Sequence, residues 1–177
     1  MCTQRLCGQV RKTLFRFSLW RTKCAATISS SPPLDRGTGP ATSNIHLATL
    51  NVQSLTKKHV LVSDLIPAHD LDVLLVTESW HVSSSDVAVC HSAPAGYSFL
   101  DQPRSDGQGG GLIIYHGNRF KAKRIDLLQT PTTFETLVAS ISSKHGPTIL
   151  PAIYRPGSTP PPALFFNELS TLLEQFV

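Results

Sequence analysis

The sequence is short of the features that would place it at once. It has four cysteines, Cys2, Cys7, Cys24 and Cys90, and no C-x-x-C pair. That excludes a cysteine-built zinc site and a disulfide framework, and it suits a reducing, intracellular location. No apolar run approaches the roughly 20 residues of a membrane helix, so no membrane partner is expected. The seven histidines are scattered, without H-x-x-x-H or similar spacing. They read as surface or strand residues rather than metal ligands. There is no internal repeat, and no acidic residue precedes Asp35.

That last absence governs how the charge is read. The chain of 177 residues carries a formal +4. Residues 1–40 hold seven Lys/Arg against Asp35, a net +6, and the rest hold nine Lys/Arg against eleven Asp/Glu, a net −2. The basicity therefore belongs to a tail. The pI near 9.0 is no sign that the folded part binds nucleic acid.

Residues 1–43 form that tail and its linker. On a helical wheel Leu6, Val10, Leu14, Phe17 and Trp20 fall on one side, and Arg5, Lys12, Arg16 and Lys23 on another. An Arg-rich, acid-poor amphipathic segment is expected to be a disordered leader, with a mitochondrial transit peptide as the alternative. Ser29–Pro40 is a Pro/Gly/Ser linker that marks the boundary of a domain over residues 44–177.

Within the domain the organising stretch is Leu71–Trp80, LDVLLVTESW. Its apolar run is too short for a helix and rich in branched side chains, the pattern of a strand covered on both faces. It ends on Glu78. Upstream, Ile45–Leu50 is a second strand that ends on Asn51. Lys58–His69 between them has helical spacing. A β-α-β unit of this length implies a parallel pair, which brings Asn51 and Glu78 to one edge of the sheet. Ligands of open α/β sheets collect at that edge.

The remainder is richer in strands. Ser83–Pro94 is expected as loop with at most one short strand. Gly96–Leu100, Gly109–His116, Phe120–Leu128, Thr133–Ser142 and Thr148–Tyr154 are strand candidates, and short turns between them suggest one antiparallel meander. Thr159-Pro-Pro-Pro162 opens a final helix with Thr159 as its expected cap. Phe165, Leu169, Leu172, Leu173 and Phe176 would line one face of it.

The order TLNVQSL, LLVTESW, GGGLIIYH and AIYRPG resembles the endonuclease/exonuclease/phosphatase family, and within it the reverse transcriptase-associated endonuclease domain of LINE-type (non-LTR) retrotransposons. The resemblance covers Asn44–Val177. It implies an α+β, DNase I-like fold, a four-layer sandwich of which about the first half is present. It implies Mg²⁺ (or Mn²⁺) as cofactor, DNA as partner, phosphodiester hydrolysis that nicks DNA, and a nuclear location. By the same resemblance Glu78 is the metal ligand, Asn51 and Tyr154 are catalytic, and Arg155 binds substrate phosphate. Pro156 would keep Arg155 extended. Glu135 recurs in LINE-type relatives without a role.

The residues alone leave other readings open. Asn51 also fits a turn cap, Tyr154 a strand aromatic, Arg155 a solvated cation, and Glu78 or Glu135 a solvated carboxylate. Gly109–Gly111 precede a strand, so they are packing residues rather than a dinucleotide loop.

The family's Asp-x-Asn and Ser-Asp-His motifs do not occur after Tyr154, and position 53 is Gln where the apurinic-endonuclease branch carries an acid. The expectation is a truncated chain that is inactive on its own. The alternatives are a non-catalytic relic or partner-binding half-domain, and a phosphatase or phospholipase of the same family. A half-sandwich is also expected to leave one sheet face uncovered and open to self-association.

Overall fold

The structure is a computed structural model that describes residues 27–28, 45–104, 109–143 and 146–176. The amphipathic tail and the Ser29–Pro40 linker lie outside the described residues, apart from β1 (Thr27–Ile28). There follow β2 (Leu47–Asn51), α1 (His59–Ala68), β3 (Val73–Thr77), α2 (Val87–Ser92), β4 (Tyr97–Gln102) and β5 (Leu112–Gly117). Then come β6 (Lys121–Arg124), β7 (Glu135–Ser143), β8 (Gly146–Tyr154) and α3 (Ala163–Glu174).

The strands make two sheets, one in the order β1-β2-β3-β5-β4 and one in the order β6-β7-β8. β2 and β3 are parallel with α1 as their crossover, and Asn51 stands opposite Thr77. Every other described pairing is antiparallel. The continuous apolar run of β3 is explained by what covers it. Leu74 and Val76 pack with Val62 and Ile66 of α1 and Ala88 and Val89 of α2. Val73 and Leu75 point the other way, with Leu112 and Ile114, onto Leu137, Ala139, Ile141, Leu150 and Ala152 of the second sheet.

That second packing corrects the sequence reading. The inner face of the first sheet is not bare: Val73, Leu112 and Ile114 are all 0% exposed. The single expected meander splits after Gly117, where the chain turns and builds a sheet of its own. β7 is itself two-sided, because Val138 on its outer face joins Phe134, Phe165 and Leu172 under α3. The layers are helix, sheet, sheet, helix, as the four-layer expectation requires.

Three local expectations also change. Val87–Ser92 is a helix, begun by Asp86, whose carboxylate accepts from the Ala88 amide at 3.0 Å; the Asp cap was in the sequence, but six residues carry too little periodicity to declare it. The Phe120–Leu128 strand contracts to Lys121–Arg124. Thr159 is not the cap of α3. Pro162 holds that position in an extended conformation with no side-chain cap bond, because consecutive prolines keep the chain out of the helical region until they end.

Candidate active site

Asn51 is the last residue of β2 and Glu78 the first after β3. The parallel register sets them side by side, and Asn51 Nδ2 donates to Glu78 Oε1 at 2.7 Å. Tyr154 ends β8 on the other sheet, opposite Glu135 at the start of β7. Its phenol faces the Glu78 carboxylate. Burial, the charge of Glu78, its pull as an acceptor on the phenol and the charge of Glu135 together push the Tyr154 hydroxyl up to about 12. It is thus a neutral donor at ordinary pH. The two sheets meet at this cluster.

The turn that carries Glu78 is strained and heavily tied. Glu78 (φ 54°) and Trp80 (φ 60°) are left-handed, as are Gln53 (φ 46°) and Ser54 (φ 76°) beside them. Such a conformation costs a non-glycine residue about 1–3 kcal/mol and persists only where surroundings over-determine it. On one side the Ser54 and Leu55 amides donate to the Glu78 and Ser79 carbonyls at 2.8 and 3.0 Å. Lys58 Nζ in turn holds the Val52 and Gln53 carbonyls. On the other side the Ser79 and Trp80 amides donate to the Gly111 and Gly110 carbonyls at 3.2 and 3.0 Å.

The glycines permit that second side. Gly110 and Gly111 have φ of 76° and 82°. A Cβ at Gly110 would collide with the Glu135 carboxylate, and one at Gly111 would lie 2.5 Å from Ser79 Oγ. Glu135 Oε2 accepts from the Gly111 amide at 2.7 Å. The residue without a role in the sequence thus pins the glycine segment against the Glu78 turn.

Two further groups were missed by sequence reasoning. Ser79 Oγ lies 2.7 Å from His81 Nδ1, and His81 Nε2 lies 3.0 Å from Asp101 Oδ2. No spacing rule finds this trio, because Asp101 comes from β4 and the contact exists only in the folded sheet. Trp80, 40% exposed, flanks Gly109 opposite the Tyr154 hydroxyl. A cleft of about 630 Å³ runs from the same region, lined by Gln102, Arg124, Thr133, Glu135 and Pro156 among others.

Arg155 does not join the cluster. Its Nη2 donates to the Thr159 carbonyl at 2.6 Å and its guanidinium sits 5.7 Å from the centre of the Phe165 ring.

The donor set speaks to a metal. Asn51 Oδ1 is buried and has no hydrogen-bond partner, next to the Glu78 carboxylate. Hard cations such as Mg²⁺ take oxygen ligands and commonly hold to one or two protein groups, with water and phosphate completing the shell. Asn51 and Glu78 fit that part. Among the described residues no group of three or more His, Cys, Asp or Glu side chains could hold a metal by itself.

No protein-family model matches the sequence, and no curated protein matches it. Solved structures do. A humanised D. rerio TDP2 carrying 14 mutations superposes with a TM-score of 0.52 over 73% of this chain and 54% of its own, at 13% identity. The fold is DNase I-like. The AP endonuclease LMAP from Leishmania major (TM-score 0.49, 18% identity) overlaps 73% of this chain and 44% of its own. The human Nocturnin catalytic domain with bound sulfate (TM-score 0.39, 17% identity) overlaps 58% of this chain and 45% of its own. The chain spans about half the length of the solved structures it resembles. No helix among the described residues is long and apolar enough to cross a membrane.

Proposed function

We propose that the Asn51–Glu78–Tyr154 cluster is the cation- and phosphate-binding part of a Mg²⁺-dependent phosphodiesterase site, of LINE-type retrotransposon origin, whose substrate is DNA. The observation that carries this reading is one carboxylate bonded by the Asn51 amide and faced by the Tyr154 phenol from the other sheet, with an orphaned amide oxygen beside it. A divalent cation bound there would polarise the phosphate and stabilise the leaving oxygen. Glu78 and Asn51 Oδ1 would hold it. Asn51 Nδ2 orients the carboxylate. Tyr154, kept protonated, would donate its O–H to a phosphate oxygen.

The same reading has this chain bind without turnover. His81 is 2% exposed, so it is shut off from the water it would have to activate. A DNA substrate implies the nucleus as the working compartment, by the family resemblance.

The test is purified protein with supercoiled plasmid and with a short labelled duplex, each with Mg²⁺ or EDTA. The expected result is Mg²⁺-enhanced binding of the duplex, lost in Glu78→Ala, and no nicking above that variant. Binding indifferent to both Mg²⁺ and Glu78 would sink the site. Nicking that disappears with Glu78→Ala would keep the site and overturn the inactivity. Hydrolysis of a lipid phosphate and not of DNA would move the substrate.

A further inference from the structure

The trio Ser79, His81 and Asp101 resembles a nucleophilic triad on paper, and burial decides against that. Ser79 and His81 are each 2% exposed, so no substrate reaches the hydroxyl. The partners also fix the ring's orientation. Asp101 can only accept, so His81 Nε2 carries hydrogen towards it. In the neutral ring Nδ1 then accepts the Ser79 O–H.

The location gives the trio another use. Glu78, Ser79, Trp80 and His81 are consecutive, and Glu78 and Trp80 hold left-handed φ. Backbone bonds tie the turn to the Ser54–Leu55 loop and to Gly110–Gly111. His81 supplies the third tie. It reaches over the start of β5 to Asp101 of β4, two strands away in the order β3-β5-β4. The Arg104 amide meets the His81 carbonyl at 3.2 Å, so backbone and side chain are anchored to the same edge.

We infer that His81, clamped between Ser79 and Asp101, is a positioning residue that holds the 78–81 turn in the conformation presenting Glu78. The inference rests on the cation site proposed above. It touches neither cation nor substrate itself. Partners one step removed from a metal ligand typically change metal affinity by about 10–100-fold.

Two readouts test it. Tb³⁺ serves as the probe cation, titrated by luminescence sensitised through Trp80 and Tyr154, and amide hydrogen exchange is followed by NMR. His81→Ala is expected to weaken Tb³⁺ binding by about 10–100-fold. It should speed exchange at the Ser79 and Trp80 amides while Leu75 and Val76 stay protected. Asp101→Asn, which keeps an acceptor oxygen, should recover most of both. Should His81→Ala not fold, Ser79→Ala removes one hydroxyl and must still speed exchange at Trp80. Unchanged exchange at these amides in the folded variants overturns the clamp. Tb³⁺ binding that is indifferent to Glu78→Gln overturns the cation site instead, and the exchange measurement still decides the clamp.

Discussion

The turn after β3 and the turn before β7 each involve a glutamate, and they treat it differently. At the second, Glu168 of α3 accepts from the amide and the hydroxyl of both Thr132 and Thr133, at 2.5–2.9 Å. Those bonds, the Thr133 hydroxyl foremost, lower its carboxyl to about 2. Its acceptor capacity is spent on fastening α3 to the loop. At the first, Glu78 is met by the side chains of Asn51 and Tyr154, from two other elements. The backbone around it is strained and cross-tied. A saturated carboxylate is a fastener. A carboxylate held in an unfavourable backbone, with an unpartnered amide oxygen alongside, is what the proposed cation site draws on.

If that contrast is right, substitutions at the two turns fail in different ways. Glu78→Ala should have the largest effect. It should lower cation-dependent DNA binding by more than about a hundredfold, beyond the range of a supporting residue, with little change in the thermal midpoint. A large loss of stability instead would put Glu78 with the fasteners.

Gly110→Ala should come next. Its φ and the collision with Glu135 predict a cost of about 1–3 kcal/mol, read as a lower denaturation midpoint together with weaker cation binding. An Ala at Gly146, which also has positive φ but open space around it, should cost less and leave binding alone.

Tyr154 offers a subtler measurement. A hydroxyl raised from 10 to about 12 contributes stability that is present below pH 10 and lost as pH rises from 10 to 12. Ultraviolet titration, with Tyr154→Phe as the difference, should show this ionisation near 12. Glu78→Gln should move it down only in part, since burial is the larger cause.

The smallest effect is expected at Glu168. Its lowered carboxyl contributes stability above pH 4.5 that fades as pH falls towards 2. Glu168→Gln should lower the melting midpoint slightly at neutral pH, the difference closing through that acid window, with no change in cation binding.

Much of the first sheet was legible in advance. The parallel β2–β3 pair follows from the apolar run Val73–Val76 and the helical spacing before it. From the parallel pair follows the meeting of Asn51 and Glu78. The second sheet was legible as strands but not as a layer. Alternation in Leu137–Ile141 says which residues share a face, and says nothing of which surface that face meets. Arg155-Pro156 marked a strand end correctly, yet the guanidinium lies over Phe165, where an arginine finds a ring face within reach of its long side chain.

The amino-acid sequence by itself determined most of the local elements and the polar residues at the ends of β2, β3 and β8, because periodicity and turn chemistry act over a few residues. Tertiary structure alone decided that the chain folds back after Gly117 to cover its own sheet, that Tyr154 reaches Glu78 from that second sheet, that Glu135 pins Gly111, and that Asp101 meets His81. These contacts join residues about 20 to 80 positions apart. They are set by how two sheets twist and pack on one another, which no spacing along the chain records.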